Sequence, residues 1–216
     1  MTPQDEPNRE QNMTLRVLIA DDDAEMRRGT RLMVSMIQET KLVAMAQNGR
    51  QALEMAKAHQ PDVALMDINM PEMDGLEAIR AMRRLRTPPL CIIISAEKDA
   101  PTVKRAVHAG VVAYLIKPFT VEELSAIMEK TRAMVVERRR RAKARAEQRR
   151  RQLETKAEAY VKARRSDDET VAVLEALAAA PDCPLRWLMS LAVIYVARQD
   201  WTKLKRLATY LEKRER

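Results

Sequence analysis

Apolar residues in the first 120 positions gather into short unbroken runs, separated by stretches in which they recur at helical spacing. The runs at 15–20 (LRVLIA), 42–46, 63–66, 90–94 and 111–116 are too short for helices. They also lack the apolar/polar alternation of a half-exposed strand, so they are expected to be strands buried on both faces. Between them, Met26, Leu32, Met33 and Met36 give a helical stripe over 24–37, and Ala52, Leu53 and Ala56 share one side of a helix over 49–59. Further helices are predicted over 75–85, ended by Pro88-Pro89, and over 101–109, ended by Gly110. Thr120 and Glu123 form a capping box that opens the next helix. Five such units imply an α/β fold, a doubly wound five-stranded parallel sheet.

After residue 120 the pattern changes. All four glycines precede residue 111, and no proline lies between Pro118 and Pro181. With no helix breakers, one helix is expected from 121 to about 165. Its apolar stripe of Leu124, Ile127, Met128, Thr131, Met134 and Val135 stops near Val136, and no a/d seam for a coiled coil is found between Arg138 and Gln152. Leu153, Ala157, Tyr160 and Val161 resume a stripe that should dock on the C-terminal segment. Three short helices are predicted there, at 169–180, 185–198 and 201–213. The expected organisation is a disordered lead-in at 1–13, an α/β domain at 14–136, an Arg-rich helical linker at 137–165 and a small all-α domain at 166–216.

Composition alters this picture mainly through charge. The formal net charge is +8 over 216 residues. Residues 1–136 hold 18 Lys+Arg against 19 Asp+Glu, residues 166–216 hold 8 of each, and residues 137–165 hold 13 against 4. The excess therefore sits on the linker alone. Hydrophobic residues make up 46% and aromatics 3%, so aliphatic side chains and 14 Met must fill the core. No apolar run approaches the roughly 20 residues of a membrane span, and the polar N-terminus is unlike a signal peptide, so a cytoplasmic location is expected. Cys91 and Cys183 form no metal or disulfide pattern and read as spectators.

Candidate chemistry lies at the carboxyl ends of the predicted strands, which carry Asp21 to Asp23, Asp67, Ser95 and Lys117. In a sheet of this type these ends border one crevice. Asp67 could instead cap the next helix, although Asp74 is better placed for that. Neighbouring acids repel one another unless a hard cation such as Mg²⁺ binds their oxygens. No Gly-rich nucleotide loop is present. A carboxylate beside a metal can act as a nucleophile towards phosphorus, giving an acyl phosphate whose oxygens Ser95 and Lys117 would hold.

Over residues 14–132 the chain resembles the receiver domain of two-component response regulators, a flavodoxin-like fold. The resemblance is carried by Asp21-Asp22 after LRVLIA, PDVALMDINMPEMDG around Asp67, IIISA ending at Ser95-Ala96, and AGVVAYLIKPF ending at Lys117-Pro118-Phe119. It implies Asp67 as phosphoacceptor and Mg²⁺ held by Asp21, Asp22, Asp67 and the backbone carbonyl of Asn69. Ser95 would be the switch hydroxyl, Tyr114 the switch aromatic, and Lys117 the phosphate-sensing lysine before a cis Pro118. Asp23 is left as a helix cap. Asn69 and Glu97, two positions beyond Asp67 and Ser95, correspond to residues that tune dephosphorylation in the family. Both are small or polar here, so a short-lived phosphoryl group is expected. The resemblance also implies a histidine kinase or phosphotransfer protein as donor and a regulator that assists only its own phosphorylation and dephosphorylation.

The tail is less legible. Arg138, Arg139, Arg140, Arg141, Arg145, Arg149, Arg150 and Arg151 have three readings: a solvated spacer helix, a surface for an acidic protein, or a binder of nucleic-acid phosphates. Nucleic acid is the less favoured partner because no recognition helix is evident. Residues 190–213 are weakly similar to one tetratricopeptide unit. The three-helix layout matches an RNA-binding output domain known in other response regulators, without its characteristic residues. The expected output is protein–protein interaction with an unidentified partner, or a phosphorylation-dependent homodimer. His59, His108 and the methionines flanking Asp67 are read as surface and packing residues.

Overall fold

A computed structural model describes residues 14–214, so the predicted lead-in at 1–13 lies outside the described residues. Each apolar run is a strand: β1 (Leu15–Ala20), β2 (Thr40–Ala46), β3 (Val63–Met66), β4 (Leu90–Ser95) and β5 (Ala113–Ile116). They form one sheet in the order β2-β1-β3-β4-β5, and every pairing is parallel. The intervening helices are α1 (Ala24–Met36), α2 (Gly49–His59), α3 (Gly75–Met82) and α4 (Ala100–Ala109). Helix α5 (Val121–Lys162) comes next, then α6 (Asp168–Ala178), α7 (Leu185–Ala197) and α8 (Trp201–Arg214).

Burial on both faces follows from the pleat. Leu15, Val17, Ile19, Val63, Leu65, Ile92 and Ile94 point to one side, where Val34 and Ile37 meet Leu124, Met128 and Val135 of α5. Leu18, Ala20, Ala64, Met66, Cys91 and Ile93 point to the other, against Ala52 and Ala56 of α2, Leu76 and Ile79 of α3, and Ala106 of α4. Each fully buried Leu, Ile or Val contributes about 1.5–3 kcal/mol, so the core needs few aromatics. Cys91 lies within it, and burial pushes its thiol pKa up to about 12.

The α1 stripe differs from expectation. Leu32 and Met36 are 63% and 69% exposed, while Thr30 and Val34 are buried and Met26 and Met33 pack at the margin. The four predicted residues share one arc, but the arc that meets the sheet is rotated from it: Met26 and Met33 lie at its edge and Thr30, Val34 and Ile37 complete it, leaving Leu32 and Met36 on the far side. In α5, Met134 lies at the edge of its stripe and is 47% exposed, whereas Leu124, Met128, Thr131 and Val135 are buried.

The amino edge of the sheet is tied to α5 by arginines. Arg132 donates to Gln38 O at 2.7 Å and to Glu39 Oε2 at 3.0 Å. Arg138 donates to Pro88 O, and Arg139 pairs with buried Asp62 at 2.6 Å. Asp62 in turn accepts from the Arg16 amide at 3.1 Å.

The chain divides into two compact units between Arg139 and Arg140. The second has its own core. Ala157 of α5, Leu174 and Leu177 of α6, Trp187, Leu188 and Leu191 of α7 and Leu207 of α8 are buried together, with Leu153 and Tyr160 at the margin. Val161, grouped with them from its spacing, is 38% exposed. No helix among the described residues is long and apolar enough to cross a membrane.

Two glycines separate packing from propensity. A Cβ on Gly75 would lie 1.9 Å from Asp67 O, whereas one on Gly29, inside α1, would meet nothing within 4 Å. Gly75→Ala is therefore expected to destabilise the protein by on the order of 3 kcal/mol. Gly29→Ala should stabilise it by about 0.5–1 kcal/mol. Urea unfolding of the two variants checks both signs.

Candidate functional site

The strand order creates the crevice. From β1 the chain crosses to β2 on one side and returns to β3 on the other, so the loops after β1 and β3 diverge and leave a gap at the carboxyl edge. One ladder row runs Ala20, Met66, Ile93 and Tyr114. Asp21 and Asp67 are the next residues on their strands, and Ser95 and Lys117 lie just beyond on β4 and after β5. The sequence-predicted residues thus share one edge.

Asp21 and Asp67 are 4% and 7% exposed, although both carry ionisable carboxyls. Together with exposed Asp22, their ligand oxygens lie within 4.8 Å of one another. Lys117 Nζ reaches both buried acids, at 2.7 Å from Asp21 Oδ2 and 3.2 Å from Asp67 Oδ1. Burial raises the Asp67 pKa above the ordinary carboxylate value; Lys117 opposes this and Asp21 adds to it. Burial also works against the Lys117 ammonium, but its hydrogen bond to Asp21 and the Asp67 charge outweigh burial and hold its pKa up.

Local geometry fixes each group. The Asp67 amide donates to Ala20 O at 2.8 Å, anchoring β3 to β1 at the site. Asp23 caps α1, its Oδ1 accepting from the Glu25 and Met26 amides at 2.7 and 3.3 Å. That capping role separates it from the acidic cluster. Asp74 caps α3 by accepting from the Glu77 amide, and the Lys117-Pro118 peptide is cis.

On the β4 side, Ser95 is buried at 1% exposure, and its Oγ accepts from the Glu97 amide at 3.2 Å. Tyr114 Oη donates to Glu97 O at 2.7 Å. Asn69 Nδ2 donates to Glu97 Oε1 at 2.9 Å, joining the two predicted tuning positions. Met66 and Met70 are buried, and His59 and His108 are exposed.

Two sets of supporting residues escape the sequence reading. Arg27 Nη1 donates to the carbonyls of Asp21 and Asp22 at 2.6 and 2.8 Å, holding the acidic loop. Asn48 Nδ2 donates to Glu72 Oε1, and the Gly49 amide to Met73 O, which pin the loop after Asp67. An Arg one turn beyond a capping Asp is the signal for the first. The second is a long-range contact with no local signal.

A family model for the response regulator receiver domain matches residues 17–129. The chain belongs to the response regulator receiver family. Chemotaxis protein CheY of Bacillus subtilis is 37% identical over 122 residues, 55% of this chain and 98% of the relative. Transcriptional regulatory protein PdtaR of Mycobacterium tuberculosis is 36% identical over 116 residues, 53% of this chain and 55% of the relative. Protein-glutamate methylesterase/protein-glutamine glutaminase 2 of Carboxydothermus hydrogenoformans is 46% identical over 105 residues, 48% of this chain. That match spans 30% of the methylesterase, so the similarity covers about half or less of the last two relatives. The receiver domain of the response regulator NarL from M. tuberculosis has a TM-score of 0.53 and 34% identity, covering 55% of this chain and 97% of that one.

Receiver domains bind Mg²⁺ at an acidic pocket, and the cluster of Asp21, Asp22 and Asp67 fits a hard divalent cation. Its donors are carboxylate oxygens, and one lysine leaves their charge uncompensated. The arginines of the Arg-rich segment differ in their contacts. Arg138 and Arg139 are tied to the receiver, Arg150 pairs with Glu154 and Asp182, and Arg151 pairs with Glu147. Arg140, Arg141, Arg145 and Arg149 are exposed.

A carboxyl whose folded pKa lies above its unfolded value destabilises the fold fully above the folded pKa, and the penalty fades as pH falls and is gone below the unfolded pKa. Asp67→Asn is therefore expected to raise the melting temperature at pH 7 without added metal, by a few degrees. The gap should narrow as pH falls towards the acid range and wild-type Asp67 protonates. A variant melting below wild type at pH 7 would contradict a repulsive site.

Proposed function

We propose that this chain is a phosphorylation-controlled switch in which Asp67 accepts a phosphoryl group from a histidine kinase or phosphotransfer protein and the helical tail delivers the output by protein–protein interaction. The observation that carries the reading is the buried Asp67 carboxylate, held with Asp21 around Lys117 at the carboxyl edge of the sheet. Asp67 Oδ attacks the donor phosphorus, a P–O bond forms, and the P–N bond breaks with its electron pair left on the donor imidazole. Asp21, Asp22, Asp67 and the Asn69 carbonyl would hold Mg²⁺, which when bound offsets the charge on the transferring oxygens. Lys117 orients and neutralises the acyl phosphate.

Ser95 and Tyr114 supply the response. Drawing the Ser95 hydroxyl to a phosphoryl oxygen breaks its contact with the Glu97 amide, and Tyr114 rests on the Glu97 carbonyl. The segment 96–99 then repacks, which alters the face built by α4, β5 and the start of α5. That face is also the surface for a phosphorylation-dependent homodimer. A nucleic-acid output is the second reading, favoured by the exposed arginines of the 140–149 stretch.

Incubation with Mg²⁺ and a small phosphodonor such as acetyl phosphate is expected to add one phosphoryl group to the wild-type chain. Asp67→Asn or chelation with EDTA should abolish the addition, as read by intact-mass spectrometry. An unchanged response in Asp67→Asn would refute the assignment.

Asn69 and Glu97 are polar and bonded to each other beside the site, and neither position places a bulky apolar side chain over the phosphoryl group. The phosphoryl group is therefore expected to decay within minutes once the donor is removed. A half-life of many hours with Mg²⁺ would refute this.

A further inference from the structure

Within the second unit, an open groove of about 860 Å³ runs between residues 143–153 of α5 and the carboxyl end of α6. Its floor is apolar, formed mainly by Leu153, Leu177, Cys183 and Pro184. It stands open because small residues face each other across it, Ala146 on α5 and Ala176 and Ala180 on or just beyond α6.

The rim has one sign. Of the lining cations, Arg150 is neutralised by Glu154 and Asp182, and the lining acid Glu147 is taken by Arg151. Lys143, Arg145 and Arg149 also line the groove, are exposed, and have no ion-pair partner among the described residues. They lie along one helix, and Arg145 and Arg149 are one turn apart. An apolar trough beside three unpaired cations is complementary to a helix with aliphatic anchors on one face and carboxylates along its margin.

We propose that this groove docks an acidic amphipathic helix of a partner protein. The inference rests on the protein-interaction reading of the tail and does not depend on phosphorylation of Asp67. Nucleic acid fits less well. The lining holds no aromatic side chain for a base to stack on, and an apolar floor cannot solvate phosphates.

The test uses the full-length chain and four fluorescein-labelled probes read by anisotropy. The first is a helical peptide of roughly 16 residues with Leu at i, i+3, i+4 and i+7 and Glu elsewhere. The others are the same peptide with Lys for Glu, an all-Glu peptide of equal length, and a single-stranded RNA of equal charge. The acidic amphipathic peptide is expected to bind at least about tenfold more tightly than each of the others. Filling the groove with Ala176→Trp, or reversing its rim with Arg145→Glu/Arg149→Glu, should each weaken that binding about tenfold or more. Both changes are at exposed helix positions, and circular dichroism checks that the helices persist.

Binding of the peptide that ignores both substitutions overturns the groove and leaves the protein-interaction reading standing. So does equal binding of the all-Glu peptide, which would reduce the site to charge. Absence of binding by every probe overturns the groove as well. Tighter binding of the RNA, lost on rim reversal, overturns both the groove and the protein-interaction reading.

Discussion

Two buried carboxylates share one ammonium at the crevice, and the receiver is built around holding that arrangement. Unit charges at the separations of Asp21, Asp22 and Asp67 repel by about 3–4 kcal/mol at an effective dielectric near 20. Lys117 offsets one carboxylate's worth of charge and leaves the rest. Such a cluster persists only where its surroundings over-determine it. Here the Asp67 amide is bonded to β1, Arg27 grips the Asp21 and Asp22 carbonyls, and Gly75 lets the following loop lie directly on the Asp67 carbonyl. The uncompensated charge is then what a divalent cation would bind.

The two edges of the sheet use charge in opposite ways. At the carboxyl edge acids outnumber the base and remain poised. At the amino edge Arg132, Arg138 and Arg139 reach carbonyls and Asp62, so each charge there has an internal partner. Helix α5 is thereby fixed along the receiver as far as Arg139, the last residue before the division between units. The start of the Arg-rich stretch therefore belongs to the receiver's packing.

Much of this is legible in the sequence, and the reason is locality. Strands buried on both faces write themselves as unbroken apolar runs, and Asp67, Ser95 and Lys117 sit at fixed offsets from the ends of those runs. The capping roles of Asp23, Asp74 and Thr120 with Glu123 are equally local and can be read directly. The features that escape depend on partners far along the chain. Helical spacing alone does not say which arc of α1 faces the sheet, so it points Leu32 and Met36 inward and gives Thr30 no role. Nothing local to Arg138 or Arg139 announces Pro88 or Asp62 as a partner, and nothing near Asn48 points to Glu72. The Arg-rich stretch looks uniform in sequence because its division into paired and unpaired cations is a tertiary property.

The exposed part of that stretch follows from how it is made helical. Residues 140–149 have no core to pack on and are all exposed. Helix-forming residues and the i,i+4 pairs Glu147–Arg151 and Arg150–Glu154 sustain α5 there without buried side chains. A helix held in this way leaves its surface free of folding demands, so Lys143, Arg145 and Arg149 keep charges that no internal contact needs. Cations left in this way beside an apolar trough are the charges that the proposed acidic helix would meet.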